Sequence, residues 1–463
     1  MFMDVSRSIG HNPPRMHSGV AVADLDGDGR SEFVVAGFGD PNRLLRWAGG
    51  QLRDIASPKF AGADERVTGL AAGDVDGDGR EELYLLISDA GKGPKPIADR
   101  LYKSRLDGSW EDLFERSEHS LLQNAASGRS VAAIDRRGVG RYGFFVANHR
   151  RPMRLYELGP AGALADLAPA LGLGLNASGR GVLTVPLFSH HTDIACANDR
   201  GPNLVFRNRG DGIFDECSAE LGLADADEHG HAVTSLDAGG GQLGLCWGNR
   251  ERPHRLMVRG EDGSWRDRAT AGLAFPSAVW TVIAADFDND GHDELFFNNL
   301  GEPNRLFRLS VNTGTEGEVL ITMLDPGDAR DSEGLGTGAA VCDIDGDGVL
   351  ELLIARGERE PQPLGLFKAR TAKGNNWLRV RPLTRFGAPA RGSIVHAEAA
   401  GRVRAKGVSG GCGYMCQMEP IAHFGFGPDL RPERVRVTWP DGAGVVLLNP
   451  GVNRTVTVPY PRG

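Results

Sequence analysis

Long apolar runs are missing from this chain. No stretch of 18 consecutive apolar residues occurs, whereas a membrane-spanning helix needs about 20, so none is expected. The opening, MFMDVSRSIG, has neither a basic n-region nor an apolar h-region, and no signal peptide is read there. Cysteine is sparse and scattered: Cys196, Cys217, Cys246, Cys342, Cys412 and Cys416 show no zinc-ligand spacing. Strand-like apolar contexts suggest buried free thiols for most of them. No nucleophile elbow, zinc signature or phosphate loop is present. Basic excess is missing too. A formal net charge of −9 argues against nucleic acid or an anionic membrane surface as partner.

Glycine, by contrast, is abundant: 65 of 463 residues, against an average of about 7%. The glycines are dispersed, as many short strands joined by tight turns require. Acid is abundant locally, in four short clusters. One Ca2+ in each would cancel nearly all of the net charge, so the acidity reads as metal-ligand charge.

Internal repeats decide the fold class. GVAVADLDGDGRSEFVVAG, GLAAGDVDGDGREELYLLI, TVIAADFDNDGHDELFFNN and AAVCDIDGDGVLELLIARG share one pattern: an apolar strand, D-x-D-x-D-G, then a strand opened by an acid. Three degenerate copies lie between them. Aligning Asp24, Asp74, Asp135, Pro186, Asp237, Asp286 and Asp343 gives spacings of 50, 61, 51, 51, 49 and 57. Seven units of that length predict an all-β, seven-bladed β-propeller of four-stranded blades over residues 1–373. The seventh unit lacks an outer strand, and residues 2–6 align with the outer strand of the fourth unit. The N-terminal strand is therefore expected to close the ring. Residues 374–463 read as a separate small all-β domain, with VRVTWPDGAGVVLL as a hairpin.

Oxygen ligands at alternate positions of a tight loop suit a hard cation. Side chains at positions 1, 3 and 5 converge, glycine at 6 permits the turn, and the carbonyl at 7 adds a ligand. Here the closing acid falls at position 9, between strands. The ligand sets read Asp24, Asp26, Asp28, Arg30 and Glu32; Asp74, Asp76, Asp78, Arg80 and Glu82; Asp286, Asp288, Asp290, His292 and Glu294; and Asp343, Asp345, Asp347, Val349 and Glu351. Arg30, Arg80, His292 and Val349 contribute carbonyls only. Oxygen-only shells with three or four carboxylates favour Ca2+ over Mg2+, so about four structural Ca2+ ions are expected.

The loops resemble FG-GAP/VCBS repeats, as in the integrin α-subunit propeller. SGGCGYMCQMEPIAHFGFG (409–427) followed by VRVTWPDG (435–442) is similar to the ASPIC/UnbV domain. The two together, with SGRSVAAIDRRGVGRY, GPNLVFRNRGDGIFDECS and GNNWLRVRPLTRFGAPARG, resemble the cartilage acidic protein family along essentially the whole chain. That resemblance implies an extracellular or periplasmic Ca2+-binding protein acting through contacts with an unidentified protein partner, without established catalysis. The unread leader leaves a cytoplasmic location as the alternative.

The other end of each inner strand should ring the channel mouth. Six residues before each motif stand Ser18, Thr68, Arg129, Arg180, His231, Trp280 and Thr337, and two positions earlier in the fifth unit is His229. Arg129, Arg180, His229, His231 and Trp280 make a cationic, aromatic-edged mouth. Three readings stay open: side chains filling the channel, a small anion held by the two guanidinium groups, or catalysis. The first function reading is a Ca2+-stabilised interaction or scaffold protein. The alternative is a small-anion-binding protein or enzyme using this mouth, for instance in bacterial secondary metabolism. Cys412 and Cys416, four apart on an extended strand, would lie roughly 13 Å apart, beyond disulfide reach, and are expected to be free.

Overall fold

The computed structural model describes residues 1–88, 95, 97–105, 108–311, 319–370 and 374–461. The boundary expected at Lys373 lies outside the described residues. The described chain is nearly all β. Its α-helices, Pro58–Ala61 and Ala271–Ala274, are single turns capped by Ser57 and Thr270. None of its helices is long and apolar enough to cross a membrane.

Seven times a strand, a loop and three further strands fold into an antiparallel meander. In the first unit the strands are His17–Ala23, Glu32–Gly37, Arg43–Ala48 and Gln51–Asp54. The other units open with Val67–Gly73, Gly128–Ile134, Asn176–Val185, Gly230–Asp237, Val279–Ala285 and Gly336–Cys342. The seventh sheet takes its fourth strand from the other end of the chain. Phe2–Asp4 pairs antiparallel with Gly365–Ala369, Phe2 opposite Ala369 and Asp4 opposite Phe367. Sheets three and four share an edge, where the end of Gly143–Pro152 pairs with the start of Asn176–Val185.

The opening strands are small-residue strands such as Val20-Ala21-Val22-Ala23 and Leu70-Ala71-Ala72, fully buried. Burial on both faces explains why they read as continuous apolar runs rather than alternating ones. Small side chains let these strands crowd together. Each lies beside the next, and Gly336–Cys342 lies beside His17–Ala23. Hydroxyls stitch neighbours: Thr337 Oγ1 donates to the carbonyls of His17 (3.1 Å) and Ser18 (3.0 Å), and Thr184 Oγ1 donates to that of Ala133 (2.8 Å). The apolar core sits between adjacent sheets. Ala21, Val34 and Ala36 of the first, for example, pack on Leu70, Leu83 and Leu85 of the second.

From Asn376 two further sheets form. Asn376–Pro382 lies between Ala422–Gly427 and, in parallel, Arg454–Val458. Ile394–Ala399, Arg402–Gly407, Arg434–Thr438 and Gly444–Leu448 make the second sheet, the last two strands being the expected hairpin. Leu378, Val380, Val395, Phe424, Val435 and Trp439 fill the space between.

The segment Ser409–Met418 leaves this unit and bonds to the opening strands of all seven sheets. Cys416 and Gln417 pair in parallel with Val20 and Ala21. The Gln417 amide receives the Ala72 N–H (2.8 Å) and donates to the carbonyls of Ala72 (2.9 Å) and Gly410 (2.8 Å). Gly410 O accepts from Ala133 N (2.8 Å), and Gly410 N donates to Thr184 O (3.1 Å). Gly413 N donates to Val233 O (2.7 Å), Tyr414 N to Thr281 Oγ1 (2.9 Å), and Ala339 N to the Cys416 sulfur (3.2 Å). Only a segment at the common centre of the seven strands can make these bonds together. Close approach explains two strand glycines: a Cβ on Gly181 would stand 2.1 Å from Gly413 O, and one on Gly19 would stand 2.4 Å from Met415 O.

The plug also corrects the argument about Cys412 and Cys416. Both are unbridged and buried, but the chain between them is a turn, not an extended strand. Cys412 N donates to Cys416 O at 3.0 Å and the two residues form a β-bridge. Glycine at 413 and Met415, both at positive φ (66° and 64°), bend the chain. Distance is not what keeps these thiols apart.

Candidate metal centres

In each acidic loop one oxygen of every carboxylate builds the turn and, Asp74 excepted, the other takes no part in it. In the seventh unit, Asp343 Oδ2 accepts from Gly348 N (3.0 Å) and Asp345 Oδ1 from Asp347 N (3.3 Å). Asp347 Oδ1 accepts from Val349 N (2.9 Å) and Glu351 Oε2 from Ile344 N (2.9 Å). The same four bonds recur around Asp24, Asp26, Asp28 and Glu32. They recur again around Asp74, Asp76, Asp78 and Glu82, and around Asp286, Asp288, Asp290 and Glu294. Position 6 is glycine at positive φ in all four loops, from 85° to 92°. No L side chain sits easily there.

In every loop the three aspartates offer ligand atoms within 4.8 Å of one another. Asp24 Oδ1, Asp286 Oδ1 and Asp343 Oδ1 are buried and have no hydrogen-bond partner. A buried carboxylate oxygen without a donor is costly, and a hard cation is what such a donor set fits. Asp74 differs, since its Oδ1 receives the Gly77 N–H at 2.6 Å. Burial, the largest cause in each case, raises these acids. Glu82 and Glu351 are pushed up to about 8, Glu32 to about 7, and Asp74 and Asp343 to about 6. Burial also raises Asp24, Asp286, Asp288 and Glu294. At position 7 the main-chain N–H of Arg30, Arg80, His292 and Val349 donates to the position-5 aspartate of its loop.

Two sets of basic residues around the loops escaped the sequence reading. One comes from the C-terminal sheets, which cover this face. Arg381 pairs with Asp24 and donates to Gly29 O (2.6 Å), while Arg379 pairs with Asp343 (2.9 Å) and with Glu419. The fully buried Arg391 pairs with Glu81 (2.7 Å) and donates to Val22 O (2.8 Å). The other set is Arg46, Lys103, Arg308 and Lys368, one on the third strand of each acidic unit. Their signal is local: each stands three residues after the first of a recurring pair on the third strand, Arg43-Leu44, Arg100-Leu101, Arg305-Leu306 and Gly365-Leu366.

At the other end of the opening strands, the mouth is not an open channel. Tyr414 of the plug sits there, its hydroxyl accepting from Arg180 Nη1 (2.9 Å), and Arg180 also pairs with Asp199 (3.0 Å). His231 is fully buried, with Nδ1 2.9 Å from Trp280 O, and its ring packs against Trp280 and Tyr414. Burial, with Arg180 beside it, holds His231 far below the usual imidazole range, so it is neutral. Arg129 is half-buried with its Nε unpartnered, His229 is exposed, and Arg250 lies over the Trp280 ring at 4.9 Å. Of the groups read as cationic there, Arg180 is paired with Asp199 and His231 carries no charge.

The FG-GAP-like repeat profile matches residues 16–85 and the ASPIC and UnbV profile matches residues 384–463. Cartilage acidic protein 1 of Homo sapiens is 40% identical over 505 aligned positions, covering 100% of this chain and 76% of its own length. The Xenopus tropicalis protein of the same name is 40% identical over 97% of this chain and 74% of its own, and the Mus musculus protein is 40% identical over 100% and 77%. Kinship of that level, running through both the repeats and the C-terminal unit, makes this chain a member of the cartilage acidic protein family.

Proposed function

We infer that the chain is a Ca2+-stabilised interaction protein: a closed ring of seven β-propeller blades over residues 1–373, with a C-terminal β domain, residues 374–463, docked on its metal face. The ring reading is supported by seven meanders of one pattern, by the cyclic adjacency of their opening strands and by the Phe2–Asp4 pairing. One observation carries the metal reading. Four loops repeat one division of carboxylate oxygens, and in three of them a buried oxygen of the first aspartate is left without a donor.

Ca2+ would hold those oxygens together and offset their mutual repulsion. Because Arg379 and Arg381 grip the first aspartates of two loops, stiff loops would also fix the C-terminal domain and its plug. The ions are structural in this reading, since protein oxygens surround them. The plug fills the axis, where a propeller commonly binds small molecules, and this favours action through protein contacts over catalysis. Membership of the cartilage acidic protein family supports an extracellular site of action. Titration calorimetry should find four Ca2+ ions per chain, and Asp288→Ala should remove one and leave three. Four ions still bound by that variant would refute the ligand assignment.

A further inference from the structure

Each acidic loop carries a cation of its own. Lys368 Nζ lies 2.8 Å from Asp345 Oδ2, 2.9 Å from Asp347 Oδ2 and 2.5 Å from Glu351 Oε1. Lys103 meets the same three acids of its loop: Asp76, Asp78 at 2.7 Å and Glu82 at 3.3 Å. Arg308 does so with Asp288 (2.5 Å), Asp290 (3.1 Å) and Glu294 (3.2 Å). Arg46 reaches Asp26 (2.5 Å) and Glu32 (2.8 Å). In every case these are the oxygens that the loop does not use for its own turn.

The register is identical in the four units. The residue before each cation is paired across the sheet with the residue after the position-9 acid: Leu45 with Phe33, Tyr102 with Leu83, Phe307 with Leu295, and Phe367 with Leu352. Of the units without acidic loops, the fourth keeps a cation at this position, Arg207, turned to Glu220 (3.5 Å) and the Phe188 ring, and the other two have lost it. In the third, position 9 is Gly143 and the third-strand position is Glu157, which pairs instead with Arg136 of the loop (2.6 and 3.0 Å). The charges have changed places. In the fifth, whose loop is one residue shorter, Gly244 takes the place of the acid in the strand register, facing Leu236, and the third-strand position is the uncharged Val258.

We propose that Arg46, Lys103, Arg308 and Lys368 are tethered counter-cations: they fill the outer half of each loop when metal is absent, compete with Ca2+ for the same oxygens, and so set the affinity of each site. This rests on reading the loops as cation sites. A lysine ammonium or arginine guanidinium there neutralises one charge of four, so the metal-free loop keeps its shape. An arriving Ca2+ must then push the cation outward and meet its repulsion.

The test is Lys368→Met, with Lys368→Arg as the charge-preserving control and Arg46→Met as a milder second variant at a more open site. Melting in EDTA and calorimetric titration with Ca2+ are read on the full chain. In the methionine variants one of the four sites should bind Ca2+ roughly tenfold more tightly or better. The EDTA melting temperature should fall, and saturating Ca2+ should restore it, while Lys368→Arg should keep the original affinity. An ordinary cross-strand ion pair also predicts the lower EDTA melting temperature, but with that site unchanged or weaker, and this result overturns the proposal. Metal binding by a variant at a site silent in the original chain supports it. Absence of Ca2+ binding in both original and variants overturns the metal reading, and the competition falls with it.

Discussion

The loops of units one, two, six and seven and those of units three, four and five close the same turn by different means. An acidic loop brings carboxylate oxygens of three aspartates within 4.8 Å of one another. The third loop keeps one aspartate, Asp135, whose oxygens accept from Val139 N (3.0 Å) and Gly140 N (2.6 Å), and adds the Arg136–Glu157 pair. In the fourth, Asp193 accepts from the main chain of Leu187 (2.9 Å), Phe188 (3.1 Å) and Asn208 (2.8 Å). In the fifth, Asp237 accepts from Gly239 N (3.1 Å) and Ala405 N (3.3 Å). A propeller turn thus needs its polar groups satisfied but does not require a metal to do it. On the proposed function, the seven units divide into a group whose stability depends on cation supply and a group that is self-sufficient.

Chelation should break this comparison open with the largest effect. Each site that binds only the folded chain adds about 2.7 kcal/mol at a hundredfold excess of Ca2+ over Kd. EDTA should therefore lower the melting temperature sharply. Amide exchange should speed up in loops 24–32, 74–82, 286–294 and 343–351 while loops 135–143 and 186–193 keep their protection. Equal loss in both groups would erase the distinction.

The plug spans both groups and should respond differently. Gln417→Leu strands the Ala72 N–H and C=O and leaves the Gly410 carbonyl with the Ala133 N–H alone, at a cost of about 3 kcal/mol. Because the plug touches every opening strand, the loss should be seen by exchange in all seven units, with or without Ca2+.

A smaller effect is expected in the self-sufficient group. Arg136→Met leaves Glu157 without its partner. The pair is partly exposed at 9% and 15%, so the cost should be about 2 kcal/mol, below the 3–5 of a fully buried pair. The double variant Arg136→Met/Glu157→Met should recover most of it by denaturant titration, and Ca2+ stoichiometry should not change.

What the sequence disclosed follows from distance along the chain. Ligand spacing is local, so the four sets from Asp24 to Glu351 could be read from nine-residue windows. The strand that Phe2–Asp4 adds to the seventh sheet was visible because its residues repeat those at 214–218. The plug was not visible, because residues 409–418 meet strands that begin nearly 400 residues earlier. Its only sign was glycine on both sides of the contact, at 410, 411 and 413 and at 19 and 181. Without the plug in view, the filled-channel, anion and catalytic readings of the mouth stayed open, because Arg129, Arg180 and His231 showed no protein counterpart. The structure supplies Asp199 and Tyr414 for Arg180 and removes the charge of His231. The counter-cations hid for another reason: Arg46, Lys103, Arg308 and Lys368 look like ordinary strand-surface charges until strand register places them over a loop.

Calorimetric titration of the metal-free full chain with Ca2+ tests the central claim most directly. The account predicts four ions per chain, one for each acidic loop. Seven ions, one per repeat, would show that the self-sufficient loops also take metal, and none would show that the tethered cations alone satisfy the acids; either result contradicts it.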